Sequence, residues 1–218
     1  MARKTHLLWD HDGVLVHTEP WYFEATRRCI EPLGVHLDLS AYLQDMVFGT
    51  PSWRHASALG ASEARIVAAR KERDRVYQQF LQHEDIEIPG VDQVLTQLSR
   101  EFEMAIVTTA KRSDFELIHK RRSIVSHMAF VLASGDYPRA KPHPDPYITA
   151  LQRFNIPPER ALVIEDSQRG LKAALAAGID CVIVHNDFVQ SQDFTDAQHR
   201  IRRLEELPAL LARLNQPD

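Results

Sequence analysis

The sequence predicts an α/β fold, with a parallel five-stranded sheet as its core and an all-helical segment inserted after the first strand. From about residue 105 onward, short apolar strands alternate with helical stretches, which is typical of a parallel sheet with crossover helices. Residues 17–88 instead show helical periodicity and no convincing strand. We therefore expect an α/β core over residues 1–16 and 89–218, interrupted by a helical insertion over residues 17–88.

Apolar runs mark the strands, and glycines and prolines mark where elements begin and end. The predicted strands are residues 7–9, 104–107, 129–132, 161–164 and 181–184. The helices predicted in the insertion are residues 19–32, 39–47, 52–59 and 62–82. The helices predicted in the core are residues 91–100, 113–122, 146–154, 168–177 and 205–214. Pro89 and Gly90 mark the return to the core, and Gly178 is expected to end a helix in the left-handed conformation.

The composition is that of an ordinary globular protein and excludes several classes. Of 218 residues, 44% are hydrophobic and 26% are charged, and the formal net charge is −4, which provides no basic field for a nucleic acid. No apolar run approaches the roughly 20 residues of a membrane span, and we expect no signal peptide. Cys29 and Cys181 form neither a disulfide framework nor a CxxC motif. We expect a cytoplasmic protein that is a monomer or a weak homo-oligomer.

Two aspartates, Asp10 and Asp12, follow the first strand one residue apart. Residues two apart along an extended segment point to the same side, so both carboxylates can face one reaction centre. A divalent cation offsets their repulsion best, and magnesium binds one or two carboxylates while keeping water and substrate phosphate as further ligands. Gly13 lets the chain turn sharply directly afterwards. The same residues also fit a pair of solvated turn aspartates, so the rest of the chain must decide.

Polar residues also follow other predicted strands, where ligands bind in open α/β sheets. Thr108 and Thr109 follow the second strand, and Glu165 and Asp166 follow the fourth. Lys141 stands in the proline-rich loop beyond the third strand. Each has an ordinary explanation by itself, as a helix cap, a solvated loop or an exposed lysine. Together, three carboxylates around a cation, a hydroxyl and a lysine are the groups that handle a phosphoryl group.

These motifs resemble those of the haloacid dehalogenase superfamily, in its phosphatase and β-phosphoglucomutase-like branch with a helical cap after the first strand. The resemblance covers nearly the whole chain. It rests on four motifs in order, which are residues 10–15, Thr108, residues 141–145, and residues 165–167 with Gly170. It implies a Rossmann-like core and a magnesium-dependent phosphatase that hydrolyses a small phosphorylated metabolite, such as a sugar phosphate.

The resemblance implies a role for each matching residue. Asp10 would be the nucleophile that forms an aspartyl-phosphate, and Asp12 would be the general acid and base. Thr108 would hydrogen-bond a phosphoryl oxygen, and Lys141 would neutralise charge on the phosphoryl group and on Asp10. Because a halide leaves without a proton, Asp12 favours phosphate chemistry over dehalogenation.

The resemblance also implies the ligands of one magnesium ion. These are Asp10, the backbone carbonyl of Asp12, and Asp166, with Glu165 close by or acting through water. A zinc site has no comparable support, because none of the eleven histidines has the spacing of a zinc motif.

Substrate selection is expected from the helical insertion, which would close over the core and exclude water. Arg54 and His55, in the loop between two insertion helices, could bind a second anionic or hydroxylated part of the substrate. Thr109 could contact the substrate from the core. The simpler interpretation of the loop is that Trp53 packs between helices and Arg54 is solvated.

Two other functions stay open at this point. A phosphomutase would share the core and the cap but needs a base in the cap, and Tyr22 stands where a histidine would be expected, which favours hydrolysis. A non-catalytic phosphate-binding or regulatory protein is the second alternative. Response-regulator receivers combine similar residues around magnesium, but they are much shorter and lack a helical insertion.

Overall fold

The structure is a computed structural model that describes residues 2–216. Its strands are β1 (His6–Trp9), β2 (Glu103–Val107), β3 (Phe130–Leu132), β4 (Ala161–Glu165), β5 (Asp180–Val184) and β6 (His199–Ile201). They form one six-stranded sheet in the order β3-β2-β1-β4-β5-β6, and every neighbouring pair is parallel. The predicted α/β class and parallel sheet are therefore confirmed.

The central strand β1 determines where the acidic residues lie. It pairs with β2 on one side and with β4 on the other, so that Trp9 is opposite both Ile106 and Ile164. Because the three strands are parallel and in this register, their carboxyl ends meet at one edge of the sheet. Helices cover both faces, which explains why these strands are apolar throughout rather than alternating.

A helical insertion follows β1, as the sequence predicts. Its helices are α1 (Glu19–Ile30), α2 (Leu39–Phe48), α3 (Trp53–Ala58) and α4 (Glu63–His83). They pack around an apolar cluster of their own, in which Trp53 is buried beside residues such as Ile30 and Leu37. The two connections to the core run side by side, since the amide of His17 donates to the carbonyl of Ile86 at 2.8 Å.

The remaining helices cover the two faces of the sheet. They are α5 (Val91–Leu98), α6 (Arg112–His119), α7 (Asp145–Phe154), α8 (Gln168–Ala176) and α9 (Leu207–Leu214). Helices α5, α6 and α9 contribute to the apolar cluster on one face, and α7 and α8 to the cluster on the other. Gly178, just beyond α8, has a φ of 73°, which confirms the left-handed helix end. Within residues 2–216, no helix combines the length and the apolar character needed to cross a membrane.

The sixth strand, β6, is a difference from the five-stranded prediction. Only Ile201 of its three residues is buried, and β6 pairs with β5 at the edge of the sheet. A three-residue segment with one buried residue shows no hydrophobic periodicity in the sequence. Its extended conformation depends on pairing with the neighbouring strand. Since β4 and β5 separate it from β1, the additional strand does not alter the position of the acidic residues.

We expect Leu95→Ala to destabilise the protein by about 2–5 kcal/mol, because the fully buried side chain packs in the cluster beneath α5 and its truncation leaves a cavity. Leu59→Ala is the control, since Leu59 is 64% exposed, and its effect should stay within about 0.5 kcal/mol. Urea unfolding followed by circular dichroism measures both free energies of unfolding. Equal losses in the two variants would contradict this assignment of the core.

Candidate active site

The carboxyl edge of the sheet gathers polar residues from β1, β2, β4 and the loop before α7. Three of the four acidic side chains and the one lysine are buried, although all of them would be charged in water. The six residues that meet here are Asp10, Asp12, Thr108, Lys141, Glu165 and Asp166. The chain therefore brings together the residues that the strand-end pattern predicts for one site.

The Lys141 ammonium is the centre of this cluster. Its Nζ donates to Asp10 Oδ1 at 2.6 Å, to Glu165 Oε1 at 2.7 Å and to the carbonyl of Val107 at 2.8 Å. These three acceptors use all three protons of the ammonium. Burial alone would lower the pKa of Lys141, but the charges of Asp10 and Glu165 raise it above its usual range, so the group stays charged.

The Glu165 carboxylate is held by protein donors on both oxygens. Oε1 accepts from Lys141 and from the Tyr147 hydroxyl, the latter at 2.9 Å. Oε2 accepts from the amide of Asp166 at 3.1 Å, and from the amide and hydroxyl of Ser167 at 3.2 and 3.0 Å. With its oxygens occupied in this way, Glu165 has little capacity left for a direct bond to a metal.

Three carboxylates of the cluster lie close enough together to surround a metal ion. Asp10, Glu165 and Asp166 each present one oxygen, and these oxygens lie within 4.8 Å of one another. Burial and the charge of Glu165 raise the pKa of Asp10 to about 7. Burial and the charge of Asp10 raise the pKa of Asp166 well above its usual range. The single positive charge of Lys141 therefore does not balance the negative charges of these carboxylates. A divalent cation that prefers oxygen ligands would balance them.

Gly13 lets the chain pass very close to Asp166. Its φ is +85°, a region that favours glycine, and a Cβ at this position would lie 1.9 Å from Asp166 Oδ2. The same oxygen accepts from Nδ2 of Asn186 at 2.7 Å. The sharp turn predicted after Asp12 is thus also a close approach, and any side chain at residue 13 would displace Asp166.

The Asp12 carboxylate accepts three hydrogen bonds. Oδ1 accepts from the Thr18 hydroxyl at 2.5 Å, and Oδ2 accepts from the Thr108 hydroxyl and from Nδ1 of His11, both at 3.2 Å. Burial raises the pKa of Asp12, but His11 and the two hydroxyls lower it by more, so the pKa lies below its usual range. In this arrangement Asp12 is an anion that can accept a proton.

The two threonines after β2 occupy different positions. Thr108 is fully buried, and its carbonyl accepts from the Tyr137 hydroxyl at 2.7 Å, which fixes the backbone while the Thr108 side chain contacts Asp12. Thr109 lines a cavity next to the cluster, and its hydroxyl lies 3.4 Å from Nη2 of Arg169. Thr108 is therefore part of the acidic cluster, and Thr109 is part of the cavity wall.

A cavity of about 370 Å³ lies between the sheet edge and the helical insertion. Asp12, Thr109 and Lys141 line it from the core. Its lining from the insertion includes Glu19, Tyr22, Tyr42, Asp45, Trp53 and Arg73. A molecule in this cavity would touch the cluster with one end and the insertion with the other, and the volume suits a small ligand.

Arg54 and His55 both bind Asp45 within the insertion. Nη2 and Nε of Arg54 donate to Asp45 Oδ1 at 2.6 and 2.9 Å, and Nε2 of His55 lies 2.9 Å from Asp45 Oδ2. Because Asp45 lines the cavity, the two residues shape its wall through this carboxylate. Direct contact of Arg54 or His55 with a substrate stays a prediction.

Comparison with known proteins identifies the family of this chain. The sequence model of the haloacid dehalogenase-like hydrolase family matches residues 7–184, a range that contains all six residues of the cluster. The chain belongs to this family.

Two relatives indicate which class of hydrolase this chain belongs to. The phosphorylated carbohydrates phosphatase of Thermotoga maritima is 32% identical over 195 residues, which cover 83% of this chain and 85% of the relative. The fructose-1-phosphate phosphatase YqaB of Escherichia coli is 29% identical over 185 residues, which cover 84% of this chain and 97% of the relative. The chain is a haloacid dehalogenase-like phosphatase.

A solved structure shares the fold. It is a CbbY variant from Rhodobacter sphaeroides in complex with xylulose-(1,5)bisphosphate, with a TM-score of 0.78 and 23% identity. The match covers 94% of this chain and 96% of that one. At this identity the likeness concerns the fold alone.

Several residues around the cluster have no signal in the sequence. From the sequence, Tyr147 is expected to be a core aromatic residue of α7, yet its hydroxyl donates to Glu165. Thr18 precedes α1 and belongs by sequence to the insertion, yet it donates to Asp12. Asn186 could have been found, because it lies just beyond the carboxyl end of β5, where the strand-end rule applies again.

We expect Gly170→Ala to destabilise the phosphatase, although alanine is favoured over glycine within a helix by about 0.8–1.0 kcal/mol. A Cβ at residue 170 would lie 1.7 Å from Glu165 Oε1 and would displace this carboxylate from Lys141. Thermal unfolding and activity measure the effect. Lys172→Ala, on the exposed side of the same helix, is the control and should change neither. A higher melting temperature with full activity in Gly170→Ala would contradict the described packing.

Lys141→Met should destabilise the phosphatase by about 3–5 kcal/mol, because it leaves Asp10 and Glu165 buried without their shared cation. Adding Glu165→Gln should restore part of this loss, since it removes one of the two negative charges. Urea unfolding in the presence of a chelator compares the single and double variants. Equal stability of the two would show that repulsion between the carboxylates is not the cause.

Proposed function

We propose that this phosphatase is magnesium-dependent and hydrolyses a small phosphorylated sugar through an aspartyl-phosphate on Asp10. The observation that carries the proposal is the buried Lys141 ammonium on Asp10, which orients this carboxylate and offsets its charge toward an incoming phosphoryl group. The names of the two relatives, which act on phosphorylated carbohydrates and on fructose 1-phosphate, support a sugar phosphate as the substrate.

In the first half of the reaction, an oxygen of Asp10 attacks phosphorus in line, and the bond from phosphorus to the sugar oxygen breaks. Asp12 gives its proton to that oxygen, so that the sugar leaves as an alcohol rather than as an alkoxide. The Thr108 hydroxyl turns to hydrogen-bond a phosphoryl oxygen, and Lys141 offsets the added negative charge.

In the second half, water attacks the phosphorus of the aspartyl-phosphate. Asp12, now an anion, takes a proton from this water, and the bond from phosphorus to Asp10 breaks. Inorganic phosphate leaves and the Asp10 carboxylate is restored. Once the phosphoryl charge has left, Asp12 releases the proton to water and is again an anion.

Asp12 must therefore change its protonation state in each turnover. Its lowered pKa in this structure suits the base of the second half. An arriving phosphoryl group brings negative charge next to Asp12 and draws the Thr108 hydrogen bond away from it, and both changes raise the pKa of the carboxyl. When substrate binds, Asp12 therefore takes up a proton from water and becomes the acid that the first half requires.

Magnesium fits the acidic cluster, with Asp10 and Asp166 as the carboxylate donors. Glu165, which already accepts from five protein donors, would orient Lys141 or act through water. The backbone carbonyl of Asp12 would complete the protein's share of the ligands. When bound, magnesium supplies positive charge that lets an anionic nucleophile approach an anionic phosphoryl group.

The position of Tyr22 supports hydrolysis over phosphoryl transfer between sugars. A phosphomutase needs a base in the insertion, and Tyr22 stands where that base is expected. The Tyr22 ring packs edge-on against Tyr77 at 5.0 Å, and the Arg73 guanidinium lies 4.4 Å from its centre. Burial raises the pKa of the Tyr22 phenol, so it stays protonated at neutral pH and provides no base.

Substrate selection is assigned to the wall of the cavity opposite Asp12. The Asp45 side chain is only 2% exposed and its oxygens are already paired with Arg54 and His55, so it fixes the shape of this wall. Arg54 and His55 therefore act on the substrate through this wall, and Thr109 contacts the same molecule from the core.

The wild-type protein should release phosphate from sugar monophosphates with magnesium, and a chelator should abolish the release. Asp10→Asn should lose turnover and stay folded, because it removes the nucleophile while Glu165 still pairs with Lys141. A phosphate-release assay over a panel of sugar phosphates measures both effects, with the exposed Asp196→Asn as the control that keeps the wild-type rate. Full activity in Asp10→Asn would refute the assigned nucleophile. Isomerisation of one sugar phosphate without release would indicate a phosphomutase instead.

A further inference from the structure

Two histidines form a hydrogen-bonded pair beside Asp12. His11, which lies between the two aspartates of the first motif, is fully buried. Its Nδ1 lies 3.2 Å from Asp12 Oδ2, and its Nε2 lies 2.8 Å from Nε2 of His119, the last residue of α6. A continuous line of contacts thus runs from the end of α6 to a carboxylate at the reaction centre.

The Asp12 carboxylate determines where one proton of this pair lies. Because a carboxylate only accepts, Nδ1 of His11 carries a proton and donates it. The contact between the two Nε2 atoms then holds one proton, which either imidazole can donate to the other. Burial and the neighbouring His11 lower the pKa of His119 to about 3, so His119 is neutral. Its Nδ1 is buried and has no hydrogen-bond partner within residues 2–216.

Packing restricts the orientation of both imidazoles. The Phe115 ring lies 5.0 Å from the His11 ring and 4.4 Å from the His119 ring, measured between centroids. Phe115 and His119 both belong to α6, so this helix supplies both the aromatic wall and the hydrogen-bond partner of His11. The geometry of His11 is therefore set by α6 and not by solvent.

We propose that His11 and His119 are positioning residues that hold Asp12 in the orientation for proton transfer to the leaving oxygen. This inference rests on the proposed function. In that reaction Thr108 gives its hydrogen bond to the phosphoryl group, and Thr18 contacts only Oδ1 of Asp12. Among residues 2–216, His11 is then the side chain that still donates to Oδ2, and His119 is what orients its ring.

Two substitutions at His119 separate orientation from packing. His119→Phe keeps a ring beside Phe115 but removes the hydrogen-bond partner of His11. His119→Gln keeps a side chain of similar reach that can donate or accept a hydrogen bond. If His119→Phe does not fold, His119→Met provides a flexible apolar replacement for the same comparison. Melting temperatures of the variants show that the fold is retained.

Two probe substrates of similar size report on proton donation. Benzyl phosphate releases an alkoxide that needs a proton, whereas p-nitrophenyl phosphate releases a stable phenolate that does not. The quantity compared is kcat/KM with magnesium present, because it covers the steps up to departure of the leaving group and excludes hydrolysis of the aspartyl-phosphate.

We expect His119→Phe to lower kcat/KM for benzyl phosphate on the order of tenfold or more, as for loss of other partners that orient reactive groups. The value for p-nitrophenyl phosphate should fall much less, and His119→Gln should recover most of the benzyl phosphate rate. Equal losses on both substrates would reduce the pair to a structural role and overturn the proposal. Unchanged rates on both would overturn it as well.

The same assays distinguish a failure of this inference from a failure of the proposed function. If Asp10→Asn hydrolyses the substrates as fast as the wild type, the proposed reaction is wrong, and so is the role of the histidine pair. If Asp10→Asn is inactive but the ratio of kcat/KM for the two probe substrates is the same in His119→Phe as in the wild type, only the role of the pair is wrong.

Discussion

The buried ammonium of Lys141 between the carboxylates of Asp10 and Glu165 is the interaction on which the rest of the site depends. Burying a charge costs several kcal/mol unless an opposite charge and hydrogen bonds replace the water. The lysine comes from the loop before α7, and the two acids follow β1 and end β4. The register of these strands and the path of that loop must therefore agree before any of the three side chains can be buried.

Different surroundings give the four acidic residues different chemistry. Glu165 is occupied by donors and orients the lysine, whereas Asp10 has one cation on one oxygen. Asp166, with the Asn186 amide as a partner, keeps the uncompensated charge that attracts a metal. Asp12 accepts from hydroxyl and imidazole donors and not from the lysine, which suits the proposed role of taking up and releasing a proton.

The sequence predicts the α/β class, the parallel sheet and the six clustered residues, because those properties follow from local periodicity and from polar residues at strand ends. Features created by tertiary contact are not visible in it. The short strand β6 depends on pairing with β5, and Tyr147 joins the site only because α7 packs beside β4. The contact between His11 and His119 spans 108 positions, and no spacing rule links them. Arg54 is correctly placed in the insertion, but its Asp45 partner depends on the arrangement of α2 and α3.

Thr18 belongs to two parts of the molecule at once. It is the residue directly before α1, where the chain enters the insertion, and its hydroxyl holds Oδ1 of Asp12. A rotation of the insertion about this entry point would therefore also change the support of Asp12, the proposed proton donor. A substrate that leaves the insertion incompletely closed would react at an Asp12 that is less firmly held. In the proposed reaction, substrates are therefore discriminated by the rate of bond cleavage as well as by how tightly each one is bound.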